Sequence, residues 1–192
     1  MWTELIGWIA VALALIVGIP QFIRLMRTRN ADGISLVYWR LYLGIPAAWV
    51  AHGIIMGTPQ TWACNGGVLV MNCAIVFMIH QVRKIPLWKL VLPGLVILAV
   101  LLPTDLLFGS AVFGVPIALL QLLGNMHQSL MLVRSASVAG VSVGFAVIML
   151  LSQIAWCSWA LSVPDPGMAM ASGTTGLVNA FNLVWLLHRR RN

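Results

Sequence analysis

Apolar stretches of about 20 residues follow one another along this chain, with only short connections between them. A helix needs roughly 20 predominantly apolar residues to cross a bilayer. We therefore predict seven membrane-spanning helices, at about residues 5–26, 35–56, 60–82, 86–108, 111–133, 141–163 and 168–188. Charged residues make up only 8% of the 192 residues, against about 25% in soluble domains. The predicted fold class is an all-α membrane protein without a soluble domain.

The basic residues are concentrated at alternate ends of the predicted helices. Arginine or lysine follows the first, third, fifth and seventh helices, whereas the connections "MGTPQ", "PTDLLFGS" and "PDPG" contain neither. Because basic residues favour the cytoplasmic side, this asymmetry predicts an outside amino terminus and a cytoplasmic carboxyl terminus, in the cell membrane. The same pattern accounts for the net charge of +7, so the expected partner is the lipid bilayer and not a nucleic acid.

The chain repeats itself at a fixed offset of 107 residues, without a gap, across its first three and last three predicted helices. The matched pairs include Gln21 with Gln128, Arg27 with Arg134, Trp49 with Trp156, Pro59 with Pro166, Gly66 with Gly173, Asn72 with Asn179 and Arg83 with Arg190. Since a single helix separates two copies of three, both copies enter the membrane from the same side. We predict a 3+1+3 arrangement: a three-helix bundle at 1–84, an inversion linker helix at 85–109 and a second bundle at 110–192.

The order of motifs in each copy resembles the PQ-loop (MtN3) membrane protein family. The first copy has Pro20-Gln21 at the inner end of its first helix, a basic loop, "DGIS", an aromatic second helix ending "AAWVAHG", and "CNGG" early in the third helix. The second copy keeps this order, with His127-Gln128 in place of Pro-Gln. Within the family the chain is most similar to the SWEET and SemiSWEET sugar transporters. The resemblance implies facilitative, bidirectional transport of a mono- or disaccharide by alternating access.

The Pro-Gln pair lies about one helical turn from the predicted inner surface. Proline removes one backbone donor and frees the carbonyl four residues earlier, and a neighbouring glutamine amide can donate to a freed carbonyl within a bilayer. A helix kinked in this way suits a gate. We interpret Pro20, Gln21, His127 and Gln128 as gate or hinge residues. The alternatives are a plain helix terminator at Pro20 and a packing histidine at His127.

Two tryptophans and several neutral polar residues form a candidate sugar site. At ~1.5 Å per residue, Trp49 and Asn65 lie at similar depths, roughly 8–10 Å from the outer surface. An indole suits the apolar face of a sugar ring, and amides or hydroxyls suit its rim of hydroxyl groups. The predicted substrate-binding residues are Trp49, Asn65, Asn72, Trp156, Ser172 and Asn179. The family resemblance implies the same role for Trp49, Asn65 and Trp156.

Other interpretations stay open for parts of this site. Tryptophans often belong to interfacial belts, and asparagines in membrane helices often bridge two helices. Gln153 is also deep in its predicted helix, and its matched position in the first copy is Pro46. For Gln153, a pocket role and a packing role are equally open.

The predicted helices contain no aspartate, glutamate or lysine at mid-depth, and Glu4, Asp105 and Asp165 fall at outer helix ends. This excludes an ordinary retinal Schiff base and argues against an intramembrane hydrolase, so we expect no enzyme. For proton coupling, His127 is the one candidate group, and it lies near the predicted inner surface, where a single group does not relay protons across the membrane. The cysteines and histidines show no metal-binding spacing, and no cofactor is expected.

The alternatives to a sugar transporter are a related transporter of an amino acid or vitamin, proton-coupled or not, and a non-transporting scaffold. One chain holds both copies, so a monomer suffices, and a homo-oligomer is left open.

Overall fold

The computed structural model of the protein describes the backbone of residues 2–29, 31, 36–134 and 143–191. Within these ranges the protein is helical and contains no β-strand, which confirms the predicted all-α class. The helices are α1 (Trp2–Thr28), α2 (Leu36–Ile55), α3 (Pro59–Arg83), α4 (Leu87–Arg134), α5 (Val143–Ser162) and α6 (Pro166–Arg191).

The long helix α4 is interrupted at a single residue. Gly109 has φ 76° and ψ 178°, far from helical values, so α4 consists of one helical stretch before it and one after it, here called α4a and α4b. Glycine adopts a positive φ without the steric cost of a side chain. The connection predicted at "PTDLLFGS" is therefore helical except at Gly109, and this keeps Asp105 within α4a.

Length and hydropathy qualify three of the described segments as membrane spans. They are Trp2–Ile19, Pro59–Arg83 and Leu87–Met126, and a shorter apolar helix covers Ala146–Ser162. These segments support an integral membrane protein. The division into seven spans stays a prediction, partly because α6 carries many small and polar residues in the stretch "SGTTGLVNAFN".

The chain divides into two compact units. The first unit is Ala14–Leu107, and the second unit is Met1–Leu13 together with Phe108–Asn192. In the first unit α2 packs against α3, and in the second unit α5 packs against α6. The predicted boundaries of the two bundles and the linker stay a prediction.

Within each unit, two helices of the same direction pack side by side, α1 with α3 and α4b with α6. Contacting residues are separated by 52 to 54 positions in both units, so the two pairs share nearly the same register. The contacts are Leu15 with Gly67, Gly18 with Met71, Gly114 with Gly167, and Gln121 with Thr175. This register determines which residues of α1 lie beside which residues of α3, and which residues of α4b lie beside which residues of α6.

Candidate functional site

Both predicted substrate tryptophans are buried, and each meets the ring of the residue three positions later in its helix. Trp49 is 3% exposed, and its ring centroid lies 5.3 Å from that of His52 at an interplanar angle of 77°. Trp156 is 6% exposed and lies 5.6 Å from Trp159 at 88°. His52 and Trp159 are matched at the offset of 107. The two units thus hold their tryptophans in the same edge-to-face arrangement.

A buried histidine–carboxylate pair adjoins Trp49 in the first unit. His52 Nδ1 lies 2.8 Å from Asp105 Oδ2, with the two side chains 0% and 3% exposed. Asp105 was predicted to lie at an outer helix end. In the structure it is buried, because α4a continues helically through the predicted connection and carries the carboxylate against His52 of α2. The pair was not predicted, since its members are 53 residues apart and only packing brings them together.

Asn72 bridges two helices of the first unit. It is buried on α3, and its Nδ2 donates to the backbone carbonyl of Tyr42 on α2 at 2.5 Å. Tyr42 lies four residues before Pro46, which has no N–H and cannot form the helical hydrogen bond to that carbonyl. A buried carbonyl in a membrane helix needs another donor. Asn72 supplies it and thereby stabilises the proline-containing helix.

The matched asparagine of the second unit has a different environment. Asn179 is also buried, on α6, but its Nδ2 has no hydrogen-bond partner among the described residues. The position matched to Pro46 is Gln153, so the described helix α5 contains no proline that would free a carbonyl. One turn further along α6, Asn182 Oδ1 is likewise buried without a partner in the described part of the chain.

The remaining two polar residues of the predicted site hydrogen-bond within their own helices. Asn65 is half-buried near the start of α3, and its Nδ2 donates to the carbonyl of Thr61 at 2.9 Å. Ser172 is buried near the start of α6, and its Oγ donates to the carbonyl of Met168 at 2.6 Å. A hydroxyl that donates in this way can still accept a hydrogen bond. Trp49, Asn65 and Asn72 belong to the first unit, and Trp156, Ser172 and Asn179 to the second.

A carboxylate organises the start of α6. Asp165 is 1% exposed, and its Oδ1 accepts hydrogen bonds from Ser110 Oγ at 2.5 Å and from the backbone N–H of Met168 at 3.0 Å. Ser110 Oγ in turn accepts from the N–H of Gly167 at 2.9 Å. Asp165 therefore caps the amino end of α6 and ties it to α4b.

For the predicted gate residues Pro20, Gln21, His127 and Gln128 the structure describes the backbone, which is helical within α1 and α4b, but not the side chains.

The matched helices α3 and α6 each carry an arginine near the carboxyl end that donates to nearby backbone carbonyls. Arg83 donates to the carbonyl of Ala31, and Arg189 donates to those of Leu132 and Val133, both at 3.2 Å.

Among the described residues, no cluster of histidine, cysteine or carboxylate side chains could hold a metal ion.

Comparison with known proteins identifies relatives in sequence and in fold. Residues 2–43 match the PQ loop repeat family. The sugar transporter SemiSWEET of Bradyrhizobium diazoefficiens is 36% identical over 77 residues, covering 36% of this chain and 88% of that protein. The sugar transporter SemiSWEET of Escherichia coli is 34% identical over 68 residues, covering 35% of this chain and 68% of that protein. The 3.7 Å structure of a eukaryotic SWEET transporter has the same fold, with a TM-score of 0.75 at 13% identity over 100% of both chains.

Proposed function

This chain belongs to the SWEET and SemiSWEET branch of the PQ-loop family, and on that premise we propose that it transports a small sugar across the membrane. The observation that carries the proposal is that this chain aligns with most of the length of two relatives named as sugar transporters. We propose facilitative, bidirectional transport by alternating access, with no enzymatic step.

The proposed architecture is the 3+1+3 arrangement with seven spans. Each SemiSWEET relative aligns over most of its own length but over only about a third of this chain, which agrees with a repeated unit. The common register of α1 with α3 and of α4b with α6 supports the same division. The break at Gly109 lies at the proposed boundary between the linker helix and the second bundle.

In the proposed mechanism Trp49 in the first unit and Trp156 in the second unit are the aromatic residues that contact the sugar. Each indole offers an apolar face to the C–H groups of the ring, and neutral polar side chains receive its hydroxyl groups. The equal edge-to-face support of the two tryptophans favours a matched pair over isolated interfacial residues. Bending at Pro20-Gln21 and at His127-Gln128 is proposed to open and close the inner side.

Uptake into proteoliposomes tests this function. The purified protein is screened with glucose, sucrose, nicotinamide riboside and several amino acids. We expect exchange of at least one sugar, strongly reduced in Trp49→Ala and in Trp156→Ala. Trp88→Ala is the matched control, because Trp88 is 62% exposed and lies outside the proposed site. If the protein exchanged an amino acid or nicotinamide riboside but neither sugar, the proposal of sugar transport would be replaced by its alternative, transport of another small solute.

That alternative is transport of another small solute, an amino acid or a vitamin, with or without coupling to protons. The observation that favours coupling is the buried His52–Asp105 pair beside Trp49, because proton relays within membranes are built from buried histidine and carboxylate side chains. Accumulation of solute driven by an imposed pH difference would support this alternative.

A further inference from the structure

The two repeats differ in the polarity of their parallel helices. In the second unit α4b and α6 carry the polar residues Gln121, Asn125, Thr175, Asn179 and Asn182. The matched residues of the first repeat are Ala14, Gly18, Val68, Asn72 and Ile75. Only the asparagine pair is polar in both repeats. A transporter built from two similar halves therefore has polar groups in one half that the other half lacks.

Three of these polar side chains are hydrogen-bonded within the protein. Thr175 Oγ1 donates to Gln121 Oε1 at 3.2 Å, and Asn125 Nδ2 donates to the backbone carbonyl of Gln121 at 2.8 Å. One turn further along α6, the Nδ2 donor of Asn179 and the Oδ1 acceptor of Asn182 have no partner among the described residues. Both side chains are more than nine-tenths buried, with 5% and 6% exposed. Such groups carry a desolvation cost until a ligand or a water molecule binds them.

The contrast with Asn72 explains why the Asn179 amide is available. In the first unit Pro46 frees the carbonyl of Tyr42, and the Asn72 amide is occupied by that carbonyl. In the second unit Gln153 stands where Pro46 would be, and no carbonyl in the described helix α5 is freed by a proline. Gln153 itself lies against α6, with its Cβ next to Gly176. The same asparagine position therefore stabilises the fold in one unit and leaves a donor unoccupied in the other.

The chemistry of the two unoccupied atoms selects the ligand. Residues three apart on a helix lie on one face, so the Asn179 donor and the Asn182 acceptor are neighbours. A hydroxyl group can accept from the first and donate to the second. A carboxylate would face the Asn182 oxygen, and neither group could donate a hydrogen bond to the other. An ammonium group would face the Asn179 N–H, and neither group could accept one. Between Pro166 and Leu187, α6 contains no charged residue to favour either ion.

We propose that Asn179 and Asn182 form a hydroxyl-binding subsite for a neutral polyol, present in the second unit and absent from the first. The proposal rests on the sugar-transport function proposed above and adds Asn182 to its binding residues. It also assigns different roles to the two matched asparagines: Asn179 binds the substrate, and Asn72 stabilises α2. The substrate is consequently recognised differently by the two halves, despite their shared tryptophans.

Three substitutions of similar size test the subsite. Asn179→Leu and Asn182→Ile remove the two unoccupied groups, and the second introduces the residue matched in the first repeat, Ile75. Asn72→Leu is the matched control. For each variant, the half-saturation concentration for exchange of radiolabelled glucose and sucrose is measured in proteoliposomes. The midpoint of thermal unfolding is measured in detergent.

We expect Asn179→Leu and Asn182→Ile each to raise the half-saturation concentration about tenfold, the effect of losing a buried hydrogen bond to substrate. Their unfolding midpoints should be unchanged or higher, because neither of the two removed atoms has a hydrogen-bond partner among the described residues. Asn72→Leu should lower the midpoint, because the Tyr42 carbonyl loses its donor. Deoxyglucose analogues that lack the recognised hydroxyl should bind wild type and Asn179→Leu equally weakly.

Each other outcome overturns a distinct statement. A lower unfolding midpoint in Asn179→Leu would mean that its amide has a protein partner, and the subsite would be rejected. Unchanged half-saturation in both variants, with wild-type exchange intact, would assign the two atoms to a bound water and reject substrate binding there. If the wild type exchanged neither sugar, the proposed function would fail, and the polyol subsite would be rejected with it.

Discussion

Gly114 of α4b and Gly167 of α6 are in direct backbone contact. A β-carbon added to Gly114 would come closer to the Cα of Gly167 than the 3.0 Å that real Cβ atoms respect. Small residues permit such close approach between membrane helices, where van der Waals packing and hydrogen bonds drive association. The Asp165–Ser110 hydrogen bond lies at the same crossing and needs the two helices to be this close.

Gly114→Ala is therefore expected to destabilise the protein by about 1–3 kcal/mol, because the added methyl group meets backbone and cannot be accommodated by a side-chain movement. The midpoint of thermal unfolding in detergent measures the effect. Gly66→Ala is the control, since nothing lies within 4 Å of its added β-carbon. Equal midpoints for the two variants would contradict the close crossing.

The hydrogen bond between Asn72 and Tyr42 should be coupled to Pro46. In wild type, Asn72→Leu is expected to cost about 0.6–1.7 kcal/mol, between the average and the largest value measured for hydrogen bonds between membrane helices. In a Pro46→Ala background the residue at 46 regains an N–H for the Tyr42 carbonyl, so the same substitution should cost much less. A double-mutant cycle on the free energy of unfolding gives the coupling. Strictly additive effects would show that Asn72 does not compensate for the proline.

The buried His52–Asp105 pair should respond asymmetrically to substitution. Asp105→Leu leaves a buried histidine without its carboxylate and is expected to cost about 3–5 kcal/mol of stability. The double variant His52→Phe/Asp105→Leu removes both polar groups, keeps a ring beside Trp49, and should recover most of that loss. Glu4→Gln is the control, since Glu4 is exposed and should leave the unfolding midpoint unchanged. A double variant no more stable than Asp105→Leu would disprove the pairing.

Transport is expected to be passive. The His52–Asp105 pair is confined to the first unit, and no matched pair exists in the second, where Trp159 replaces the histidine. A single pair does not form a relay across the membrane. Proteoliposomes should show equal initial sugar exchange with and without an imposed pH difference. Accumulation driven by that difference, and lost in Asp105→Asn or His127→Ala, would indicate proton coupling.

The orientation can be tested by cysteine labelling after Cys64, Cys73 and Cys157 are replaced by alanine. Pro164→Cys and Arg191→Cys both place the thiol at an exposed position, at opposite ends of α6. From the distribution of basic residues, an impermeant thiol reagent added to intact cells should label the first variant and not the second. The reverse pattern would invert the topology and place the proposed gates outside.

Much of this protein follows from local properties of the chain. The apolar stretches predict the helices, because a bilayer leaves the backbone no other way to satisfy its hydrogen bonds than a helix or a closed barrel. The offset of 107 residues identifies the matched tryptophans, and the structure gives them equivalent edge-to-face neighbours. Gly109 can be seen in the sequence, in the predicted connection "PTDLLFGS". The sequence does not show that it is the only residue of α4 with a non-helical backbone.

The packing of helices determined what the matched positions do. Asn72 and Asn179 are identical in sequence and in repeat position, yet one amide is occupied by the Tyr42 carbonyl and the other has no described partner. The difference originates in Pro46 on α2 and Gln153 on α5. These residues affect the asparagines only because α2 packs against α3 and α5 packs against α6. The His52–Asp105 pair likewise joins residues from separate helices. Hydrogen bonds depend on distances of a few tenths of an ångström, and for residues far apart in the chain the tertiary structure sets those distances.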